Sequence, residues 1–496
     1  MPLGLHRFLA FDLGAESGRA VVGTLKDGCL SIEEVSRFPN EPVQVHNTLY
    51  WDVLGLYNQV LKGLREFARR YADSVEGVGI DTWAVDFGLL DREGKLLQNP
   101  VHYRDHRTDG VVEEMGRRIT PEELFQRTGI AASQIYTSVQ LRSLRRSRSP
   151  LLECAARLQM MPDLLTYFLT GEGPCERTQA ITSQLYDPRK GQWNEDVMRR
   201  LDLPPAIMPG LVDPGTVIGE IDERIKRNTG LKRSAVIAPC THDTASAVAA
   251  VPAQGADWVF LSSGTWSLLG AITREVCTSP EAFAAGVVNE MTLGGFLLLH
   301  GIMGLWLLQQ VRAVWHRQGE TYSHDDLVRL AEQVPQAGAL VDPNDTRFLA
   351  PSDMLQAIGQ YCIETGQHPP EGPGETARCI LESLALTYRR GLDQLARILN
   401  RRFNVLHIVG GGSKNSLLCQ LTANATGLAV VAGPSEATVA GNVLVQALAR
   451  GYVSCPAEIR AIVRRSTETV EYVPQDTRRS EERYGEYSRI LHKARR

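Results

Sequence analysis

Phe8-Leu9-Ala10-Phe11-Asp12-Leu13-Gly14 reads as a buried strand that turns through Gly14–Gly18 and resumes as Arg19-Ala20-Val21-Val22-Gly23-Thr24-Leu25. Apolar runs on both sides of a Gly-containing turn predict a hairpin. The same plan returns at Trp258-Val259-Phe260-Leu261-Ser262-Ser263-Gly264-Thr265 and continues through Trp266-Ser267-Leu268-Leu269-Gly270-Ala271-Ile272. Two hairpins of one design, far apart in the chain, predict a duplication in which each copy opens a domain. At 496 residues the chain is longer than one ordinary core supports, so length alone also predicts two domains. The small residues Ala249–Gly255 supply a hinge, which places the expected domains at 1–248 and 249–496.

Other segments alternate between strand and helix signals. Val75–Thr82 reads as a strand, and Thr120-Pro121-Glu122-Glu123-Leu124 as a capped helix start. Phe296–His300 reads as a strand closed by a turn at Gly301, and Leu406-His407-Ile408-Val409 as a strand before Gly410-Gly411-Gly412 and a further helix. The charged stretch from Arg478 to the C-terminus reads as a surface helix. Such alternation predicts an α/β fold with helices covering the sheets.

Hydrophobic residues make up 43% of the chain and charged residues 22%, with a formal net charge of −4. Nucleic acid and anionic membrane are therefore disfavoured as partners. The basic cluster Arg142–Arg148 reads as a solvated helix end or loop. The longest apolar stretch, Phe296–Val311, contains His300, Gln309 and Gln310 and falls short of the roughly 18 apolar residues that span a bilayer. Nine cysteines lack any C-x-x-C or zinc spacing, which predicts reduced thiols and a cytoplasmic location. Cys362 and Cys379 are a pair whose proximity sequence leaves open. The N-terminal residues run into the first strand without a signal-peptide pattern.

The chemistry concentrates at Cys240-Thr241-His242-Asp243-Thr244-Ala245-Ser246-Ala247, just after the apolar run Ser234–Pro239. This reads as a strand delivering Asp243 onto a tight loop ahead of a helix, where a lone carboxylate suits proton abstraction from a substrate hydroxyl. His242 reads as a group that binds or orients substrate. The Gly-rich turn Asp12–Arg19 and Ser262-Ser263-Gly264-Thr265 each fit an ordinary hairpin turn. Together they suggest amide concavities for phosphate, with Asp12 holding a metal-bound water. Trp83-Ala84-Val85-Asp86 fits a sugar pocket in which the indole stacks and Asp86 accepts hydroxyl protons, or else a core Trp beside a surface Asp. His102–Arg107 reads as a solvated polar loop or a reach toward substrate. Gly410-Gly411-Gly412-Ser413-Lys414-Asn415 departs from the Rossmann pattern at Asn415. No G-x-x-x-x-G-K-[ST] occurs.

The runs Gly79-Ile80-Asp81-Thr82-Trp83, Tyr103-Arg104-Asp105, Met161-Pro162-Asp163, His242–Ala247, Leu261–Ser267, Ile302–Gln309 and His407–Gly412 together resemble the FGGY family of carbohydrate kinases, within the actin-like ATPase superfamily. The resemblance runs from Asp12 to about Arg450. It implies two actin-like (ribonuclease H-like) domains with an interdomain catalytic cleft, the first binding sugar and the second, with its C-terminal helix, binding nucleotide. It implies transfer of the ATP γ-phosphoryl group to O1 of a ketose, L-rhamnulose first, with L-fuculose, L-xylulose and D-xylulose as alternatives. By the resemblance Asp243 is the general base. Asp12, Gly14, Ala15, Glu16, Ser17, Gly18, Gly264, Thr265, Gln309 and Gly411 meet ATP, with Mg²⁺ held through water by Asp12. Ala84, His242, Thr244 and the position of Gly301 line the sugar site, beside Asp86. Three residues depart from the resembled group: Ala84 replaces Gly, Gly301 replaces Asn, and Glu16 replaces a small polar residue. A sugar-independent actin-like ATPase is the rival from another class. Oligomeric state is left open.

Overall fold

The computed structural model describes residues 4–71, 75–232 and 234–494. They form two compact units that are not contiguous in sequence. The first comprises the chain up to Ala250 together with Ile272–Leu298 and Ala437–Ser466; the second comprises Val251–Ala271, Leu299–Glu436 and the chain from Thr467.

The first unit is built on a six-stranded sheet in the order Val217–Glu220, Ala235–Ile237, Gly77–Thr82, His6–Leu13, Ser17–Lys26, Cys29–Pro39. His6–Leu13 pairs antiparallel with Ser17–Lys26, as the hairpin reading expects. It pairs parallel with Gly77–Thr82, which in turn lies parallel to Ala235–Ile237. Alternation along the first strand explains why it reads as one apolar run. Leu9, Phe11 and Leu13 point into a core with Val60, Leu64 and Phe67 of the helix Val53–Tyr71. Phe8 and Ala10 point the other way, into a core with Val439, Val443 and Leu444 of the helix Ala437–Ala449. Both faces of the sheet are therefore covered. A further core in this unit, around Phe87, Leu89, Leu158, Ile181 and Tyr186, supports the segment that lies under the candidate site.

The second unit repeats the plan with Trp266–Thr273, Trp258–Ser263, Val405–Val409, Ala429–Ala432 and Val470–Tyr472, in that order within a seven-stranded sheet. Trp258–Ser263 pairs antiparallel with Trp266–Thr273 and parallel with Val405–Val409. The longest helix is Gly372–Leu399. Thr477–Ala494 forms the C-terminal helix; residues 495–496 lie outside the described residues. No described helix is long and apolar enough to cross a membrane.

Three local expectations change. Gly301 lies inside the strand Gly295–Met303 rather than at a turn. The turn falls at Gly304–Leu305, where the Gly304 and Trp306 amides donate to the Thr265 carbonyl at 3.1 and 3.2 Å and the Leu305 amide to that of Gly264 at 3.0 Å. A Cβ on Gly304 would meet the Ser267 amide at 2.8 Å, so it is Gly304 that the turn requires. Arg145, Arg146 and Arg148 are exposed at the end of a helix as expected, but Arg142 is buried and pairs with Glu114 at 2.6 Å. His102 and Asp105 are likewise buried, not part of a solvated loop. All nine cysteines, Cys362 and Cys379 among them, are unpaired.

Candidate active site

In the first unit, the parallel strands bring acidic residues to their carboxyl ends. Asp12 and Asp81 are register partners on neighbouring strands, and Asp243 follows the Ala235–Ile237 strand by way of the buried residues Cys240–His242. Carboxyl ends of parallel strands are where open α/β sheets place ligands. Asp243 is the first residue of the helix Asp243–Ala249 rather than part of a preceding loop. Its Oδ1 accepts from the Thr244 amide at 2.5 Å and the Thr244 hydroxyl at 3.1 Å. The side chain keeps 31% of its exposure, whereas that of His242 keeps 5%.

The loop carrying Asp243 is fixed from below. Buried Glu176 accepts from the Thr241 amide and hydroxyl, both at 2.9 Å, from the Thr178 amide at 2.8 Å and from the Thr178 hydroxyl. The Thr178 hydroxyl in turn accepts from the His242 amide at 3.2 Å. Gln179 spans two loops, its amide donating to the carbonyls of Trp83 at 3.1 Å and Thr241 at 3.2 Å. Buried groups with this many partners hold a geometry in place. The helix Ala437–Ala449 closes the back of the site. A Cβ on Gly441 would overlap the Ser246 carbonyl, so the helices approach backbone to backbone there. Next along, Asn442 donates to Asp81 at 2.5 Å and accepts from Gln446 at 2.6 Å.

His242 sits between two carboxylates, with Nδ1 3.2 Å from Glu290 and Nε2 3.4 Å from Asp243. Although burial disfavours its charge, these neighbours and Glu176 push its pKa up to about 9. Burial and the nearby Asp12 charge raise the Asp243 pKa, while the His242 cation and the Thr244 hydrogen bonds pull it down. Asp81 is raised well above the usual carboxylate range, first by burial and then by the Asp12 charge. Asp12 itself is held through Oδ2 by Arg19, at 2.9 and 2.7 Å.

The Trp83–Asp86 turn differs from its pocket reading. Asp86 is buried beneath the surface, where Oδ2 accepts from the indoles of Trp51 at 2.6 Å and Trp83 at 3.0 Å and from the Tyr103 amide at 3.3 Å; Oδ1 accepts from Gln140 at 2.9 Å. Its oxygens are engaged by the protein, and burial lifts its pKa to about 6. The Trp83 indole is likewise buried and packs on Trp51 with ring centroids 4.1 Å apart, so it is a wall of the core and not an open stacking face. Ala84 stays part-exposed. Between them Val85 holds a φ of 71°, a region unfavourable for a β-branched residue. The Thr137 hydroxyl pins it by donating to its carbonyl at 2.6 Å.

At the first hairpin tip, the Gly14 amide donates to the Ser17 carbonyl at 2.9 Å. Ala15 and Ser17 are part-exposed and Glu16 is exposed. Gly18 answers to packing, since a Cβ there would overlap the Phe38 ring. In the second unit, the Gln309 amide donates to the Thr265 hydroxyl at 3.3 Å, next to Gly264. Gly411 begins a short 3-10 turn, and a Cβ on it would meet nothing within 4 Å. Gly301 is exposed, and a Cβ on it would meet only Leu268, at 3.9 Å.

The structure thus gathers Asp12, His242, Asp243 and Thr244 in one unit, and Gly264, Thr265 and Gln309 in the other. Sequence reasoning missed the roles of Asp81, Glu176, Gln179, Glu290 and Asn442. Local signals existed for Asp81, which ends an apolar strand, and for Asn442 and Gln446, polar residues inside the apolar helix Ala437–Ala449. Nothing local pointed to Glu290.

Comparison with known proteins gives the family and the fold. Residues 7–250 match the family model for the N-terminal domain of the FGGY family of carbohydrate kinases, and residues 259–450 match that for its C-terminal domain. Over 95% of its length the chain is 42% identical to a rhamnulokinase of Bacteroides thetaiotaomicron, covering 96% of that protein. A rhamnulokinase of Enterococcus faecalis is 39% identical over 94% of both chains. Among solved structures, a xylulose kinase from Lactobacillus acidophilus superposes with a TM-score of 0.81 at 15% identity, covering 98% of each chain. A glycerol kinase from Plasmodium falciparum with ADP superposes at 0.78 and 16%, covering 99% of this chain and 98% of that one. At such identities the structural likeness is one of fold.

Proposed function

Because the chain belongs to the FGGY family of carbohydrate kinases, we propose that it transfers the γ-phosphoryl group of ATP to O1 of L-rhamnulose, with Asp243 as the general base. The observation that carries this reading is the part-exposed Asp243 carboxylate flanked by His242 and facing the Asp12 charge. The substrate is drawn from the rhamnulokinases that match the chain over nearly its whole length. Phosphoryl transfer needs an aligned acceptor, neutralised phosphates and little covalent chemistry from the protein. Asp243 takes the proton of the C1 hydroxyl as that oxygen bonds to phosphorus and ADP leaves. His242 and Thr244 orient the sugar beside Ala84, while the Gly14–Gly18 turn, Gly264, Thr265, Gln309 and Gly411 serve the nucleotide. Asp86 acts from beneath, by fixing Trp51 and Trp83.

The donor set suits Mg²⁺ held mainly by phosphates. No described group of three or more His, Cys, Asp or Glu forms a cage for a metal, and Mg²⁺ in phosphoryl-transfer enzymes is typically held by one or two carboxylates plus phosphate. Asp12 would hold it through water, next to Asp81, whose buried Oδ1 has no hydrogen-bond partner. When bound, the metal neutralises phosphate charge. The nine unpaired thiols accord with a reducing, cytoplasmic setting.

The pH dependence follows from the two shifts. Asp243 must be ionised to accept a proton, and its pKa is raised; activity is therefore lost, as pH falls, at a higher pH than an ordinary aspartate near 4 would give. His242 is cationic below about 9, so activity also declines as pH rises through that value. A profile of kcat/KM against pH reads both limbs, and a flat profile down to pH 4 would exclude the first assignment.

Gly301 governs which ketose is preferred. The space beside it accepts a side chain, so Gly301→Asn is expected to fold normally and shift the preference among L-rhamnulose, L-fuculose, L-xylulose and D-xylulose by about tenfold, the worth of one good hydrogen bond. Unchanged kcat/KM ratios across the four sugars would remove Gly301 from the sugar site.

A further inference from the structure

Glu290 belongs to the strand Val288–Thr292, and this strand is anchored on both sides of it. Buried Asn289 donates to the carbonyls of Gly129 and Cys277, both at 2.9 Å, and accepts from the Cys277 amide at 2.7 Å. Thr292 donates at 2.8 Å to the Ala245 carbonyl, in the helix that Asp243 begins. Glu290 is thereby held against the candidate site. Its Oε2 and the Nδ1 of His242 are buried and face each other at 3.2 Å, and neither atom has another hydrogen-bond partner. We infer that Glu290 is a positioning residue for the transfer step, fixing the His242 ring as a cation between itself and Asp243 so that the imidazolium keeps Asp243 ionised and presents a proton to an oxygen of the bound sugar. The inference rests on the reading of Asp243 as base.

The chain of compensation is electrostatic. Burial of an imidazolium is unfavourable unless a carboxylate faces it, and Glu290 supplies that partner from a separate strand. Burial and Asp12 oppose the charge of Asp243, and the His242 cation opposes them in turn. The other ionisable groups facing this row are Glu176 toward His242, Tyr136 toward Glu290, and Asp81 toward Asp243. The helix Ala437–Ala449, which packs on the Asp243 helix, carries no ionisable side chain.

Four variants test the inference: Glu290→Gln, Glu290→Asp, His242→Gln and the double variant of Glu290→Gln with His242→Gln. In Glu290→Gln the alkaline limb of the kcat/KM profile should move down by about one pH unit or more, while the acid limb stays in place because His242 is still protonated there, with kcat at neutral pH roughly tenfold lower. On the His242→Gln background the same change should cost almost nothing further, because Glu290 acts through the ring. Independently of activity, the ¹³C-labelled ring of His242, assigned by its loss in His242→Gln, should titrate near 9 in the wild type and at least about one unit lower in Glu290→Gln. Glu290→Asp, which keeps the charge but shortens the reach, should fall between. A His242 titration unchanged in folded Glu290→Gln, or an equal loss on both backgrounds, would overturn the inference. Should Asp243→Asn remain active while the His242 titration still follows Glu290, the assignment of the base has failed and the pairing has not.

Discussion

Asp243→Asn is expected to lower kcat by roughly 10²–10⁴ fold, the range over which positioned general bases contribute, while leaving the KM for sugar within a few-fold. The substitution keeps size and shape, and the Asn carbonyl can accept the Thr244 amide and hydroxyl bonds that Asp243 Oδ1 accepts now. The loop should therefore hold, since Glu176 and Gln179 fix it through Thr241 and not through Asp243. What disappears is a charge and a proton acceptor. His242 loses one of its two flanking carboxylates, and Asp81 loses one of the negative charges that raise it. The variant should thus show a His242 that titrates lower together with the loss of turnover. Steady-state kinetics with saturating ATP measure the outcome, and a near-wild-type kcat would rule Asp243 out as base.

Gly441→Ala should cost both stability and activity, although it adds only one methyl group. At Gly441 the helix Ala437–Ala449 meets the carbonyl of Ser246 with no room for a Cβ, and backbone does not yield as a side-chain end would. Overpacking of this kind costs about 1–3 kcal/mol. Displacement would also disturb Asn442, one residue on, which donates to Asp81. A second glycine supplies the control. Gly485 lies inside the helix Thr477–Ala494, where a Cβ would meet nothing within 4 Å, so Gly485→Ala should stabilise by up to about 1 kcal/mol through helix propensity alone. Denaturant unfolding of both variants distinguishes crowding from propensity. Equal stability in Gly441→Ala and wild type would mean that the helices separate freely there.

The architecture was legible because its central strands are buried on both faces. Phe8–Leu13 and Trp258–Ser263 read as continuous apolar runs for that reason, and their repetition revealed the duplicated plan. Asp243 stood out as a charge among small residues at a strand end. What sequence hid depends on contacts across long separations. Asn442 reaches Asp81 over 361 positions, and Glu290 reaches His242 from a segment, Ile272–Leu298, that packs with the first unit although it follows the second hairpin. Arg142 reads as solvated because its partner Glu114 is 28 positions away. Asp86 shows the converse. Its spacing from Trp83 was visible, but Trp51, which takes a share of the same oxygen, was not, and that indole helps make the residue a support instead of a ligand.

The most direct test is ADP release from MgATP by the wild-type protein, with L-rhamnulose compared against L-fuculose, L-xylulose, D-xylulose and no sugar, and with the product's phosphate position assigned by ³¹P–¹H NMR. Strong stimulation by L-rhamnulose, with phosphate on O1 and none of this activity in Asp243→Asn, is the predicted result. ADP release at the same rate with no sugar present would contradict it.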